Sequence, residues 1–262
     1  MKTTSWRPAA AVAATLLLGA CAGGASMDGG AGDPMNKPEV ARSLLDAADS
    51  AEAQNDHATA AGYYRNVFAR DPKNVRAAVG LMQSLRSLGA LDQARDAVAK
   101  ALAANPDNPA VLAEAGKVKL ASGDLNDAVK FLQRASDLDP QDWKSRSAAG
   151  VAYDRLGNRQ KAEESYQAAL KISPDNAAVL NNLALSRAMA HDLAGARELL
   201  QRAVASAGSD VRVRQNLALV YALSGDMTQA EALTLHDLPP DLARETLAYY
   251  RELAAHAQTQ KP

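Results

Sequence analysis

The strongest constraint on this chain is a phase that returns every 34 residues. Pro72, Pro106, Pro140 and Pro174 keep that step, and so do Ala60, Ala94, Ala128, Ala162, Ala196 and Ala230. Asn74, Asn108, Asp142, Asn176 and Asp210 form a third ladder. Gly89, Gly123, Gly157 and Gly225 form a fourth, with His191 in its vacant place. Four ladders at one period imply a stacked array of helical units. Each has a physical reason. Proline disfavours helix for the residue before it and so ends the second helix of a unit. The asparagines and aspartates are good N-caps for the next first helix. The glycines supply the positive φ at which a helix ends before a tight turn. Asp56, Asp124, Asn158, Asp192 and Asp226 then cap the second helix, and the phased alanines let two antiparallel helices approach closely. Ala48, Gly116, Gly150, Ala184 and Ala218 are the matching small residues of the first helix.

This pattern resembles the tetratricopeptide repeat, a helix-turn-helix unit of this length, over about Glu39 to Leu235, six units. Two departures are visible: the aromatic often found early in the first helix is missing, and Asn55 stands where the first unit needs its glycine. The resemblance implies an all-α fold, a right-handed superhelix or α-solenoid with a C-terminal capping helix. Residues 39–238 form the array, residues 239–257 the capping helix after Pro239-Pro240, and 258–262 a frayed tail. Tyr63, Tyr64, Val67 and Phe68 are expected to pack against the next unit. Leu242, Tyr249, Tyr250 and Leu253 fall on one stripe of the last helix.

Residues 1–20 read as an export signal, with Lys2 and Arg7 ahead of the apolar run Ala9 to Leu18. That run is too short to span a bilayer as a helix. Leu18-Gly19-Ala20-Cys21 resembles the bacterial lipoprotein box. The resemblance implies a diacylglyceryl group on Cys21, cleavage after Ala20 and acylation of the new amine. Each buried acyl methylene contributes about 0.8 kcal/mol, so several chains anchor firmly where one does not. Ala22 in place of aspartate points, by the same resemblance, to the outer membrane. Residues 21–38 are then a lipidated cysteine and a glycine-rich tether holding the array in the periplasm. With Cys21 the only cysteine, an intramolecular disulfide is excluded.

Net charge is −1, and without Lys2 and Arg7 there remain 27 basic and 30 acidic residues. No basic stripe marks a nucleic-acid partner. His57, His191, His236 and His256 are scattered, without metal-ligand spacing. Glu163 and Glu164 are neighbours on a helix and face apart. No phosphate loop is present. The expectation is a protein with no catalytic residues, metal, cofactor or small-molecule substrate. What remains is protein binding. In the resembled family the first helices line the concave face, where Asn181 and Asn182 recur one period later as Gln215 and Asn216. Side-chain amides donate and accept, so such a row can pair with an extended peptide; equally, it can bridge neighbouring units. Arg212, one turn earlier, offers a carboxylate a partner. The set partly resembles the carboxylate clamp of some tetratricopeptide domains. Asn182 and Arg212 fit its later places, whereas Ser147 and Val151 stand where lysine and asparagine are needed.

The stretch Val211 to Gly225, then Ala230-Glu231-Ala232, Asp237-Leu238-Pro239-Pro240-Asp241 and Leu247 to Leu253, is similar to the TadD family. These are the tetratricopeptide lipoproteins of tight-adherence (Flp) pilus assembly. The resemblance implies an outer-membrane lipoprotein that binds partner segments and assists the pilus secretin to localise or assemble. The alternative is a general periplasmic scaffold for envelope or peptidoglycan machinery.

Overall fold

Pairs of antiparallel helices follow one another along the whole computed structural model, which describes residues 38–206 and 210–259. The export segment, Cys21, the tether up to residue 37 and residues 260–262 lie outside the described residues. The pairs are α1 (Pro38–Ala53) with α2 (His57–Arg70), α3 (Val75–Ser87) with α4 (Leu91–Ala104), and α5 (Pro109–Ala121) with α6 (Leu125–Leu138). They continue as α7 (Trp143–Arg155) with α8 (Arg159–Ile172), α9 (Ala177–Met189) with α10 (Leu193–Ala205), and α11 (Val211–Leu223) with α12 (Met227–Asp237). A last helix, α13 (Pro240–Thr259), rests on α11 and α12. Among the described residues every regular element is a helix.

The turn inside each unit is built the same way six times. The amide after the turn residue bonds the carbonyl five residues back at 2.9 Å, from Asp56 to Ala51 through Asp226 to Tyr221. This closure needs a left-handed residue just before it. Gly89, Gly123, Gly157 and Gly225 supply it at φ of 70–90°, while Asn55 and His191 are forced to 58° and 63°. At the other junction, Asn74, Asn108, Asp142, Asn176 and Asp210 each accept a backbone N–H of the following first helix. Asp56, Asn158, Asp192 and Asp226 do the same for second helices. Asp124 does not, against expectation. Lys119 holds its carboxylate at 3.0 Å, and the ion pair turns the oxygens away from the helix start.

All six phased alanines are wholly buried, as are Ala48, Ala184 and Ala218. The tight contact has a volume rule. A Cβ on Gly116 would meet Leu132, and one on Gly150 would lie 2.6 Å from the Tyr166 ring. In the second unit the same two places carry Met82 and Val98, both buried, so a large first-helix residue goes with a smaller one opposite. Tyr166 cannot give way freely, because its phenol donates to Asp154 at 2.8 Å. Burial, and then that carboxylate, push its pKa up. In the first unit the Tyr64 ring passes over Gly80, which leaves its phenol free to reach Asp49.

First helices touch the first helices of neighbouring units, while second helices touch mainly their own partner and the next first helix. The stack therefore curves with the first helices inside. Two features of the last helix differ from expectation. Its buried stripe is Ala243, Leu247, Tyr250 and Ala254, while Leu242 and Tyr249 are exposed. The cause is the 3.6-residue turn, which puts neighbours Tyr249 and Tyr250 about 100° apart so that one faces α11 and the other does not. The helix also runs to Thr259, two residues past the expected end, because nothing in Ala255-His256-Ala257-Gln258 breaks it.

Gly150→Ala is expected to lower stability by about 1–3 kcal/mol through overpacking against Tyr166. Gly62→Ala, in a helix where a Cβ meets nothing within 4 Å, raises it by up to ~1 kcal/mol. Urea midpoints followed by circular dichroism measure both.

Candidate functional site

The inner surface divides into two halves by how its polar residues are used. In the first three units they are spent on one another. Arg76 bonds Asp46 and Asp49 across α1 and α3, and the Ser84 hydroxyl donates to Glu52, whose other oxygen meets His57 at 3.0 Å. Glu114, 2% exposed, takes Arg86 Nε at 2.7 Å and Lys117 at 3.2 Å. A carboxylate so buried is tolerable because two cations meet it, and removing both would leave an uncompensated charge. These links tie α1 to α3 and α3 to α5. A cleft of about 570 Å³ still opens between α1 and α3, lined by Ala41, Arg42, Leu45, Asn74 and Arg76. The Ser84–Glu52–His57 chain is not a catalytic arrangement. The serine is wholly buried, its hydroxyl shared between Glu52 and the Gly80 carbonyl of its own helix, so no substrate reaches its oxygen.

From α7 onward the inner residues are smaller and mostly neutral, and between α9 and α11 a cleft of about 390 Å³ opens. Ala177, Ala178, Asn181, Asn182 and Leu185 line it from α9, and Arg212, Val213 and Asn216 from α11, with Asp210 at the helix start. Of the residues singled out in the sequence, Asn181, Asn182, Arg212 and Asn216 thus converge on one cavity. Gln215 does not line it; its carbonyl accepts the Tyr250 phenol at 3.2 Å.

Part of the amide row bridges neighbouring units. Asn216 Nδ2 donates to Asn181 Oδ1 at 2.7 Å, and Asn182 Nδ2 donates to Ser147 Oγ at 3.3 Å. Each side-chain amide has two N–H donors and a carbonyl oxygen, so each of the three keeps unused capacity. Arg212 is less free than its sequence position suggests. Its guanidinium grips Asp210 through Nη2 at 2.7 Å and Nε at 3.1 Å. That pairing, with the Val213 amide, holds the Asp210 carboxyl below its usual range. An arriving carboxylate would face Asp210 at the same guanidinium. The inner positions Val151, Leu185 and Leu219, one per unit, form a half-buried apolar row beside the amides.

A larger cavity, about 740 Å³, lies outside, between α2 and α4, over Phe68, Leu81, Leu85 and Ala97. Its counterpart of about 400 Å³, two units on, lies between α6 and α8. Both lie between second helices of stacked units, and Arg65 already bonds Gln93 at 2.9 Å beside the first. The amides of α9 and α11 are the more convergent polar set.

Among the described residues no cluster of His, Cys, Asp or Glu has the makings of a metal site, and no helix is long and apolar enough to cross a membrane. Arg214 ties α11 to the end of α12. Asp237 ends α12, where a carboxylate opposes the helix dipole. Arg214 Nε, at 2.9 and 3.0 Å, holds it, and His236 adds a second contact.

Tetratricopeptide repeat family profiles match residues 51–115, 85–152 and 144–176. A curated relative, the Protein CTR9 homolog of Arabidopsis thaliana, is 28% identical over 153 residues, 58% of this chain but 14% of that protein. The chain therefore matches a small part of that relative's length. The solved structure of Pseudomonas aeruginosa pilF superposes with TM-score 0.64 at 18% identity, covering 83% of this chain and 98% of that one. A thermophilic TPR protein of Thermus thermophilus gives 0.62 at 20% identity, over 69% and 98%. At these identities the likeness is one of fold. Arrays of this kind are protein-interaction scaffolds, and no enzyme family matches the chain.

Arg214 is expected to set an acid dependence. It pulls the pKa of Asp237 below the unfolded value near 4, so the pairing stabilises fully above that value. The contribution is lost as pH falls through the folded pKa. Arg214→Met lowers the thermal midpoint at pH 7 and flattens its fall toward pH 3, read by calorimetry from pH 3 to 7.

Proposed function

We propose that this tetratricopeptide-repeat array is a non-enzymatic scaffold, anchored in the outer membrane through Cys21, that binds partner segments during tight-adherence (Flp) pilus biogenesis and assists the secretin to localise or assemble. The observation that carries the binding reading is the inner cleft between α9 and α11, where amides of two successive units converge with hydrogen-bonding capacity to spare. An extended segment laid there exchanges its backbone N–H and C=O groups with Asn181, Asn182 and Asn216. Arg212, held beside Asp210, contributes less to carboxylate capture than to the shape of the rim.

The pilus reading is supported by the resemblance of Val211 to Gly225 and Leu247 to Leu253 to the TadD family, together with the lipoprotein box ending at Cys21. The mechanism follows from the architecture. Lipid holds the array at the membrane, the glycine-rich tether gives it reach, and tethering raises the effective concentration of an anchored partner. Modest affinity at the cleft is then sufficient.

The test is the heat-resistant secretin multimer in outer membranes with the gene present and deleted. Deletion is expected to remove the multimer, and wild type to restore it where Cys21→Ala does not. An unchanged multimer removes the secretin role and leaves the general periplasmic scaffold. In the same strains, Asn182→Ala with Asn216→Ala is expected to lower multimer yield while leaving the protein's abundance, read by immunoblot, unchanged.

A further inference from the structure

The last helix repeats the first helix of a unit. Its buried Ala243, Leu247 and Tyr250 keep the spacing of Val213, Leu217 and Val220 on α11, 30 positions earlier. It also packs on the preceding pair, as α11 does. It is therefore the first helix of a seventh unit, with no second helix beside it among the described residues. Exposure at the other positions agrees. Ala218 and Ala222 are buried where α12 covers α11, whereas their counterparts Ala248 and Glu252 are exposed.

In this phase Leu242, Thr246 and Tyr249 stand where α11 carries Arg212, Asn216 and Leu219, on the inner side. The apolar inner row of Val151, Leu185 and Leu219 thus continues to Tyr249. Tyr249 is 58% exposed and Leu242, two turns away on the same stripe, 48%. The Tyr249 ring lies 6.5 Å from that of Tyr250, which is buried and bonded to the Gln215 carbonyl, so the exposed ring has a fixed neighbour. Glu245, one turn before Tyr249, is exposed, and no ion pair engages its carboxylate among the described residues. An apolar anchor beside an unpaired carboxylate is complementary to an apolar side chain next to a cation.

We propose that the inner groove extends onto α13, and that this end receives an extended partner segment presenting a bulky apolar side chain beside a lysine or arginine. The inference rests on the reading of the groove as a peptide site and adds the chemistry of the occupant. Tyr249 and Leu242 cover the apolar side chain, Glu245 attracts the cation, and Asn216 and Asn182 take the backbone further along.

The experiment is selection of a random dodecapeptide library on phage against the protein, then fluorescence anisotropy with fluorescein-labelled selected peptides. Selected peptides are expected to share an apolar–basic pair. Tyr249→Ala is expected to weaken their binding about tenfold or more, and Tyr249→Phe to retain it. Glu245→Gln weakens binding and flattens its salt dependence. Circular dichroism checks that each variant is folded. Selected peptides without the pair, or unchanged binding by Tyr249→Ala, overturn the inference. Binders indifferent to the α13 variants but lost with Asn182→Ala and Asn216→Ala leave the groove standing and remove this extension. No binder from the library removes both.

Discussion

An alanine every 34 residues lets the second helix of each unit lie hard against the first, and the architecture depends on that close approach. Because the residues are so small, the helix pair is set by backbone proximity more than by any particular large side chain. Larger residues are then exchanged across the contact in compensation, glycine facing leucine or tyrosine and Met82 going with Val98. Interiors pack at crystal density, so volume added on one helix must be removed from the other. The same constraint explains why so few aromatic residues suffice.

Stacking such units turns a local rule into a surface. With the first helices inside, whatever the repeat places at its inner positions recurs one helix further on. In the first three units that recurrence pairs opposite charges, and the links from Arg76 to Asp46 and from Arg86 to Glu114 tie α1, α3 and α5 together. From α9 the inner positions hold amides, alanine and leucine, and the cleft there is lined mainly by neutral groups. The two ends of the inner face thus differ in chemistry: charged residues pair within the array at one, and amides keep hydrogen-bonding capacity at the other.

The end of the array follows from the same logic. A solenoid's terminal unit has one side that no neighbour covers, and it stays soluble by making that side polar. Here α13 keeps the buried register of a first helix and turns Glu252 and Arg251 outward where a second helix would pack. Leu242 and Tyr249 do not belong to that outer side. They lie on the inner side, so covering the end does not explain their exposure.

The unit length, the turn chemistry and the cap positions could be read from the chain alone, because each is a local backbone requirement that particular residue types satisfy. Asn74 caps α3 and Gly89 turns left-handed for reasons that involve only a few neighbouring residues. The grouping of Asn181, Asn182, Arg212 and Asn216 was partly legible too, since one period of separation places residues side by side on adjacent helices. Tertiary structure decided what those groups are free to do. Arg212 turned to Asp210, Asn216 to Asn181 and Asp124 to Lys119, and each choice depends on distances between side chains that periodicity does not specify. It also decided that Tyr250 is buried and Tyr249 is not. Adjacent residues on a helix differ by about 100° in direction, and only the docking of α13 on α11 settles which of the two faces solvent.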